Sequence, residues 1–199
     1  MTDIPIILLA AGQSRRMRGA DKLLQAVDDM PLLRRSAMTA LEVGPVIVAL
    51  PPRPHARYDA LGGLDLRKVP IADSAEGMNA SLRGALAQVD AAAPAVMVLL
   101  ADLPELTAND LRAVKNARRA NPDNLIWRGA TSADKPGHPV IFDRQLFPEL
   151  RKLTGDQGAQ SVIRAHKDKA HLTRLPGENA LLDLDTPEAW VDWLRKRGS

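Results

Sequence analysis

Near the start of the chain, Ile4-Pro5-Ile6-Ile7-Leu8-Leu9 is apolar throughout, and the sequence then turns small at Ala10-Ala11-Gly12. No other stretch restricts the fold as much. A short run with no polar face reads as a strand covered on both sides, as in parallel sheets. The following residues are polar and basic: Gln13-Ser14-Arg15-Arg16-Met17-Arg18-Gly19-Ala20-Asp21-Lys22-Leu23-Leu24. Small side chains let the backbone approach a bulky anion, Gly12 is free to take positive φ, and successive N–H groups in such a turn form an anion-binding nest. Arg16 adds a planar fork of charge and Lys22 a mobile point charge. A strand ending in a small-residue turn backed by cations is a design for phosphate. The three spaced glycines of the dinucleotide fingerprint and the Gly-Lys-Ser/Thr ending of the Walker loop are both missing. That disfavours a Rossmann-type dehydrogenase. The plain alternative is an ordinary strand-to-helix loop with surface basic residues. Ser14, Arg16, Met17 and Lys22 together make it the poorer reading.

Apolar clusters then alternate with helical periodicity. Val46–Leu50 reads as a second buried strand and Leu66–Ile71 as a weaker third. Ala95–Leu100, apolar at every position, reads as the central one. Between them, helices are expected over Pro31–Val43, with Pro31 in its first turn, over His55–Leu61 and over Met78–Val89. Thr107 is a helix cap for Ala108–Arg119, with Asp110 completing a capping box. After Trp127 the rhythm changes. Gly129–Pro139 reads as loop, Pro139–Phe142 as a short strand, and Asp143–Leu153 and Gly158–Ala165 as helices. His171–Leu175 and Leu181–Asp185 read as strands, and Thr186-Pro187 as the cap and first position of a last helix. This order predicts an α/β fold, Rossmann-like, with a mostly parallel twisted sheet and helices on both faces. With 199 residues, and neither repeat nor linker, a single domain over 1–199 is expected.

Composition excludes several classes. Cysteine is absent, so disulfides, thiolate metal sites and a cysteine nucleophile are out. The N-terminus lacks the features of a secretory signal and no apolar run is long enough to span a bilayer; a cytoplasmic protein without membrane contact is expected. Net charge is only +3 and aromatics are 3%, too few for base stacking, so nucleic acid is not an expected partner.

Four further groups of residues are candidates for carrying chemistry. Asp102 directly follows the central strand, where open α/β sheets bind ligands, and a carboxylate there suits Mg²⁺, which takes one or two carboxylates plus substrate phosphates. Its plain alternative is a turn or capping Asp before Pro104. Asp183 and Asp185 would share one face if extended, or Asp185 merely precedes a capped helix. Gly77 permits close approach at a helix N-terminus that favours phosphate or a polar base edge. Ser81, one turn on, either hydrogen-bonds base or ribose or is a small residue in a helix contact. His138, in Gly137-His138-Pro139, leans towards substrate contact.

These motifs together resemble the nucleotidyltransferases that finish the molybdenum cofactor. Residues 9–24 are similar to the pattern LAAGxSxRMGxxxKLL, with Arg18 in place of a glycine and Gly19 directly after it. Residues 77–83 resemble GMSxSLR, with Asn79 for serine, and Asp102-Leu103-Pro104 an Asp-x-Pro. Residues 137–142 resemble GHPVxF, residues 155–160 GDxGAR with Gln160 for Arg, and residues 183–188 Asp-Ile-Asp-Thr-Pro-Glu. The Ala-Ala-Gly form is similar to the cytidylyltransferase branch; the guanylyltransferase branch usually has Ala-Gly-Gly. The resemblance implies a fold of the nucleotide-diphospho-sugar transferase type, with nucleotide-binding elements mainly in residues 1–105 and acceptor-binding elements mainly in residues 125–186. It implies joining of CTP to the phosphate of Mo-molybdopterin, giving the cytosine dinucleotide cofactor and pyrophosphate, with passage to a recipient molybdoenzyme. Arg16, Lys22 and Asp102 are the implied catalytic residues. Leu9, Ala10, Ala11, Gly12, Arg16, Lys22, Gly77 and Ser81 are implied at the nucleotide, and Gly137, His138, Pro139, Gly155 and Asp156 at the acceptor. Asp102 and Asp185 are the implied Mg²⁺ ligands, with Asp183 as the alternative to Asp185. Rival readings are a GTP-dependent or sugar-phosphate nucleotidyltransferase of the same superfamily, and a non-catalytic protein that binds and delivers the finished cofactor.

Overall fold

The computed structural model describes residues 3–197. A seven-stranded sheet organises it, in the order Arg67–Pro70 (β5), Val46–Leu50 (β4), Ile6–Leu9 (β1), Ala95–Leu100 (β6), Pro136–Asp143 (β8), Ile126–Ala130 (β7) and Ala170–Arg174 (β9). β1 (Ile6–Leu9), β4 (Val46–Leu50), β5 (Arg67–Pro70) and β6 (Ala95–Leu100) form a parallel half. β8 (Pro136–Asp143) runs antiparallel to both β6 and β7 (Ile126–Ala130), and β9 (Ala170–Arg174) is parallel to β7. β2 (Ala26–Val27) and β3 (Met30–Pro31) make a separate two-stranded ribbon.

Strand alternation divides the core in two. Ile6, Leu8, Met97 and Leu99 point to one face, where α1 (Leu32–Leu41), α2 (Arg57–Ala60), α4 (Ala108–Ala120) and α7 (Pro187–Arg197) pack. Ile7, Leu9, Val96 and Val98 point to the other, covered by α3 (Met78–Leu86), α5 (Phe147–Leu150) and α6 (Gln160–Ala165). This explains why β1 and β6 are apolar at every position: each side chain meets a helix. Among the described residues, no helix is long and apolar enough to cross a membrane.

The local cap signals of α4 and α7 hold. Thr107 and Asp110 form the reciprocal capping box of α4, and Thr186 Oγ1 accepts from Ala189 N at 3.2 Å at the start of α7. Pro31 differs from its expected place: it ends β3 and caps α1 instead of lying in the first turn.

The second half departs further. Gly129–Pro139, expected as loop, contributes to β7 and β8. The glycines belong in these strands because a Cβ on Gly129 would lie 2.4 Å from His138 O, and one on Gly137 2.0 Å from Ala180 O. Asp143–Leu153 is not one helix but a 3-10 turn, Arg144–Leu146, followed by the short α5. Leu181–Asp185 is not a strand. Its carbonyl at Leu184 accepts from the buried Trp190 indole at 3.1 Å, so the segment is held by α7 and not by a ladder.

Candidate active site

From β1 the chain runs outward to β4 and β5, then returns to the opposite side of β1 as β6. The carboxyl ends of β1 and β6 therefore flank the topological switch point, where α/β sheets leave a crevice. A cleft of about 430 Å³ opens there.

One wall is the loop after β1, and its bends differ from the expectation for Gly12. Gly12 does not take positive φ; the left-handed residues are Ser14 (φ 50°), Arg18 (φ 52°) and Gly19 (φ 94°). The space around Gly12 is open, with nothing within 4 Å of a built Cβ. Its missing side chain leaves room in the cleft. Arg18, where the motif has glycine, is itself left-handed, and Gly19 continues the bend.

Lys22 opens a 3-10 turn, Lys22–Leu24, capped by the Asp21 carboxylate, which accepts from Leu23 N at 3.0 Å. The Lys22 ammonium donates to Asp102, two residues beyond β6, and to Asp185 Oδ1 at 2.5 Å, just ahead of α7. Arg16 pairs with the other oxygen of Asp185. Residues 80 and 163 positions from Lys22 thus meet at one ammonium. The Lys22, Asp102 and Asp185 side chains are 16%, 14% and 17% exposed, which keeps the charges close to low-dielectric surroundings. Asp102 Oδ1 is buried and has no hydrogen-bond partner among the described residues.

Electrostatics follow from this grouping. Burial works against the Lys22 ammonium, but Asp102 and Asp185 outweigh it and hold its pKa above the usual value. Burial also works against ionised Asp185, yet the Lys22 hydrogen bond and the Lys22 and Arg16 charges hold its pKa below the usual value. Asp183 goes the other way, raised by burial and by the neighbouring Asp185 and Asp102 charges. Of the two C-terminal acids, Asp185 is the one that lines the cleft.

The opposite wall is the start of α3. Gly77 (φ 116°) precedes it, and a Cβ there would lie 2.7 Å from Asp156 Oδ1. That same oxygen accepts from Met78 N at 2.7 Å. The helix N-terminus read as open to phosphate or a base edge is therefore already capped at Met78 by a carboxylate from the α5–α6 connection. Asn79 straps that connection down, its Nδ2 donating to Thr154 O at 2.7 Å and its N to Gly155 O at 3.3 Å.

Leu9, Ala10, Ala11, Gly12, Arg16, Lys22, Gly77, Ser81, Asp102, Asp156 and Asp185 all line the cleft. Gly137, His138, Pro139 and Gly155 are not among its lining residues. The His138 ring donates from Nδ1 to Val98 O at 3.3 Å, and its backbone N donates to Ala180 O at 2.8 Å. Burial pushes the imidazole pKa down to about 4, so it is neutral at pH 7. Arg57 was invisible in the sequence. It sits in α2, and its guanidinium reaches the β1 loop from behind. No local pattern marks an arginine whose partners lie 36 and 47 residues away.

The sheet order, the small-residue cationic loop at the switch point and the acids opposite it define a nucleotidyltransferase. The chain matches the MobA-like NTP transferase domain over residues 6–170 and belongs to that family. It is 27% identical over 202 residues to the purine catabolism protein PucB of Bacillus subtilis, covering 96% of this chain and 95% of PucB. It is 28% identical over 192 residues to a probable molybdenum cofactor guanylyltransferase of Trichormus variabilis, covering 94% and 89% of the two chains. Among solved structures, the manganese complex of Rv0371c from Mycobacterium tuberculosis superposes with a TM-score of 0.81 at 27% identity, covering 98% of this chain and 99% of that one.

Proposed function

We propose that this nucleotidyltransferase joins CTP to the phosphate of Mo-molybdopterin, forming molybdopterin cytosine dinucleotide and pyrophosphate. The observation that carries the reading is the meeting of Lys22, Asp102 and Asp185 beside the small-residue turn Ala10–Gly12. The residues of the turn hold the nucleotide by backbone contact. Arg16 and Lys22 neutralise the triphosphate and the charge that develops at the α-phosphorus. An oxygen of the acceptor phosphate forms the new bond to the α-phosphorus as the bond to the β-phosphate breaks and pyrophosphate leaves. The nucleophile is already anionic, so no general base is required, and positioning with electrostatics supplies the rate. Residues 1–199 act as one domain in this reading, the nucleotide held mainly by residues 1–105 and the acceptor mainly by residues 125–186.

A divalent cation fits the acid set. Asp102 has an unpartnered buried oxygen, and both carboxylates already converge on one positive charge. Among the described residues no three acids or histidines gather as a metal cage. Two carboxylates with substrate phosphates completing the shell is the arrangement Mg²⁺ takes, and a manganese complex is known for the related Rv0371c. Asp102 and Asp185 would hold Mg²⁺, which when bound polarises the α-phosphoryl group. A cytoplasmic setting, with the product passed to a recipient molybdoenzyme, goes with this reading.

The preference for CTP rests on Ala11, where the guanylyltransferase pattern has glycine. GTP is the second reading, favoured by the relative named as a guanylyltransferase. Pyrophosphate release with Mo-molybdopterin, Mg²⁺ and each of CTP, GTP, ATP and UTP tests both. Release greatest with CTP is expected. Release greatest with GTP overturns the base assignment, and binding of the finished cofactor without release from any triphosphate overturns catalysis in favour of delivery.

A further inference from the structure

Arg57 is 2% exposed, the most buried charged residue among those described. None of the residues of α2, its helix, lines the cleft. Every acceptor its guanidinium meets belongs to the β1 loop. Nε and Nη2 donate to the two oxygens of Asp21, each at 2.7 Å. Nη1 donates to Ala10 O at 2.7 Å, and Nη2 also donates to Ser14 Oγ at 3.3 Å. Ser14 Oγ in turn accepts from Lys22 N at 3.2 Å. One guanidinium therefore pins the beginning, middle and end of the loop.

Stability alone is a weak reason for this arrangement, since a buried ion pair often does no better than an apolar replacement of the same volume. What it does supply is a fixed shape. Ser14, whose Oγ accepts from Nη2, stands at positive φ, a geometry that persists in a residue with a side chain only where surroundings over-determine it. It also sorts polarity. Ala10 O and the Asp21 carboxylate, acceptors that would repel an anion, are both drawn onto Arg57, and Ser14 Oγ with them. The cleft side retains the cations Arg16 and Lys22. We infer that Arg57 is a positioning residue for anion binding: it holds Ala10 O, Ser14 Oγ and the Asp21 carboxylate on its guanidinium, so that these three acceptors are not turned towards a polyphosphate in the cleft.

This rests on the triphosphate reading of the cleft, and the test separates the two. Inorganic triphosphate is titrated calorimetrically into the natural protein and the Arg57→Lys, Arg57→Met and Asp21→Asn variants, and amide hydrogen exchange is followed in each. Lysine keeps the charge but lacks the planar fork that spans three acceptors. Affinity is expected to fall about tenfold or more in each variant, the worth of a hydrogen bond to a charged group. Faster exchange should be confined to residues 10–24, and the Arg57→Met/Asp21→Asn pair should be little worse than either single change. If Arg57→Met fails to fold, Arg57→Lys decides. Unchanged affinity in Arg57→Lys, or faster exchange spread over β1, β4 and β6 alike, overturns the inference and leaves the triphosphate reading standing. No binding by the natural protein overturns both.

Discussion

Two stretches of this chain look alike as sequence and are used in opposite ways. The loop after β1 and the Gly137-His138-Pro139 corner of β8 both combine glycine with a basic side chain, and both reach the same edge of the sheet. Residues of β8 pair with β6 in the register Val98↔Val140, which brings the corner to the carboxyl end of β6, near Asp102. The loop turns its charges into the cleft, where Lys22 joins Asp102 and Asp185. The corner turns inward: Gly137 lies against Ala180, and the His138 backbone and ring both end on carbonyl oxygens. The difference is strand direction. β1 ends at the switch point and its loop leaves the ladder after Ala10, whose N still donates to Ala49 O, whereas β8 begins there, so its polar groups are already committed to pairing. Reaching the right edge does not place a residue in the cleft when its backbone and ring are occupied.

The contrast can be broken from the cleft side first. Lys22→Ala and Asp102→Ala should each lower pyrophosphate release by at least roughly 10²–10³-fold, with the urea midpoint little moved. Full activity in Asp102→Ala would remove the metal assignment.

On the corner side, Gly137→Ala forces a Cβ to within 2.0 Å of the Ala180 carbonyl, backbone that has no rotamer to escape into. A loss of about 3 kcal/mol in urea unfolding is expected, with triphosphate affinity of the folded protein unchanged. A loss of affinity instead would bring the corner into the binding machinery.

His138 makes stability depend on pH. Its folded pKa, about 4, lies below the ordinary value of 6.5, so the unfolded chain binds the proton more readily in that window. Its contribution is fully present above pH 6.5 and is lost as pH falls towards 4. Unfolding free energy should drop by about 1–3 kcal/mol from this group between pH 7 and 4, and His138→Gln should flatten that slope. An unchanged slope in the variant would contradict the burial argument. The smallest effect lies outside both regions: Thr107→Ala removes one half of the α4 capping box and should cost about 1 kcal/mol without altering turnover.

Local signals carried the parallel half of the sheet and its helices. β1, β4 and β6 are apolar at every position because both faces are covered, and α4 and α7 announce their starts with caps whose partners lie within three residues. The same kind of reading failed at Gly129–Pro139. Glycine and proline there look like turn chemistry, yet Gly129 and Gly137 stand in strands because neighbouring backbone leaves no room for a Cβ. Leu181–Asp185 reads as a strand in sequence, but the segment has no ladder partner and is held by Trp190.

The order of residues along the chain encodes the class of fold and the cationic small-residue loop, because covered strands and helix caps are set within a few residues. Tertiary structure alone decided which acid stands in the cleft, that Asp156 closes the start of α3, and that Arg57 holds the loop from behind. Those outcomes depend on side chains dozens to more than a hundred residues apart meeting in space. No local pattern encodes a distance.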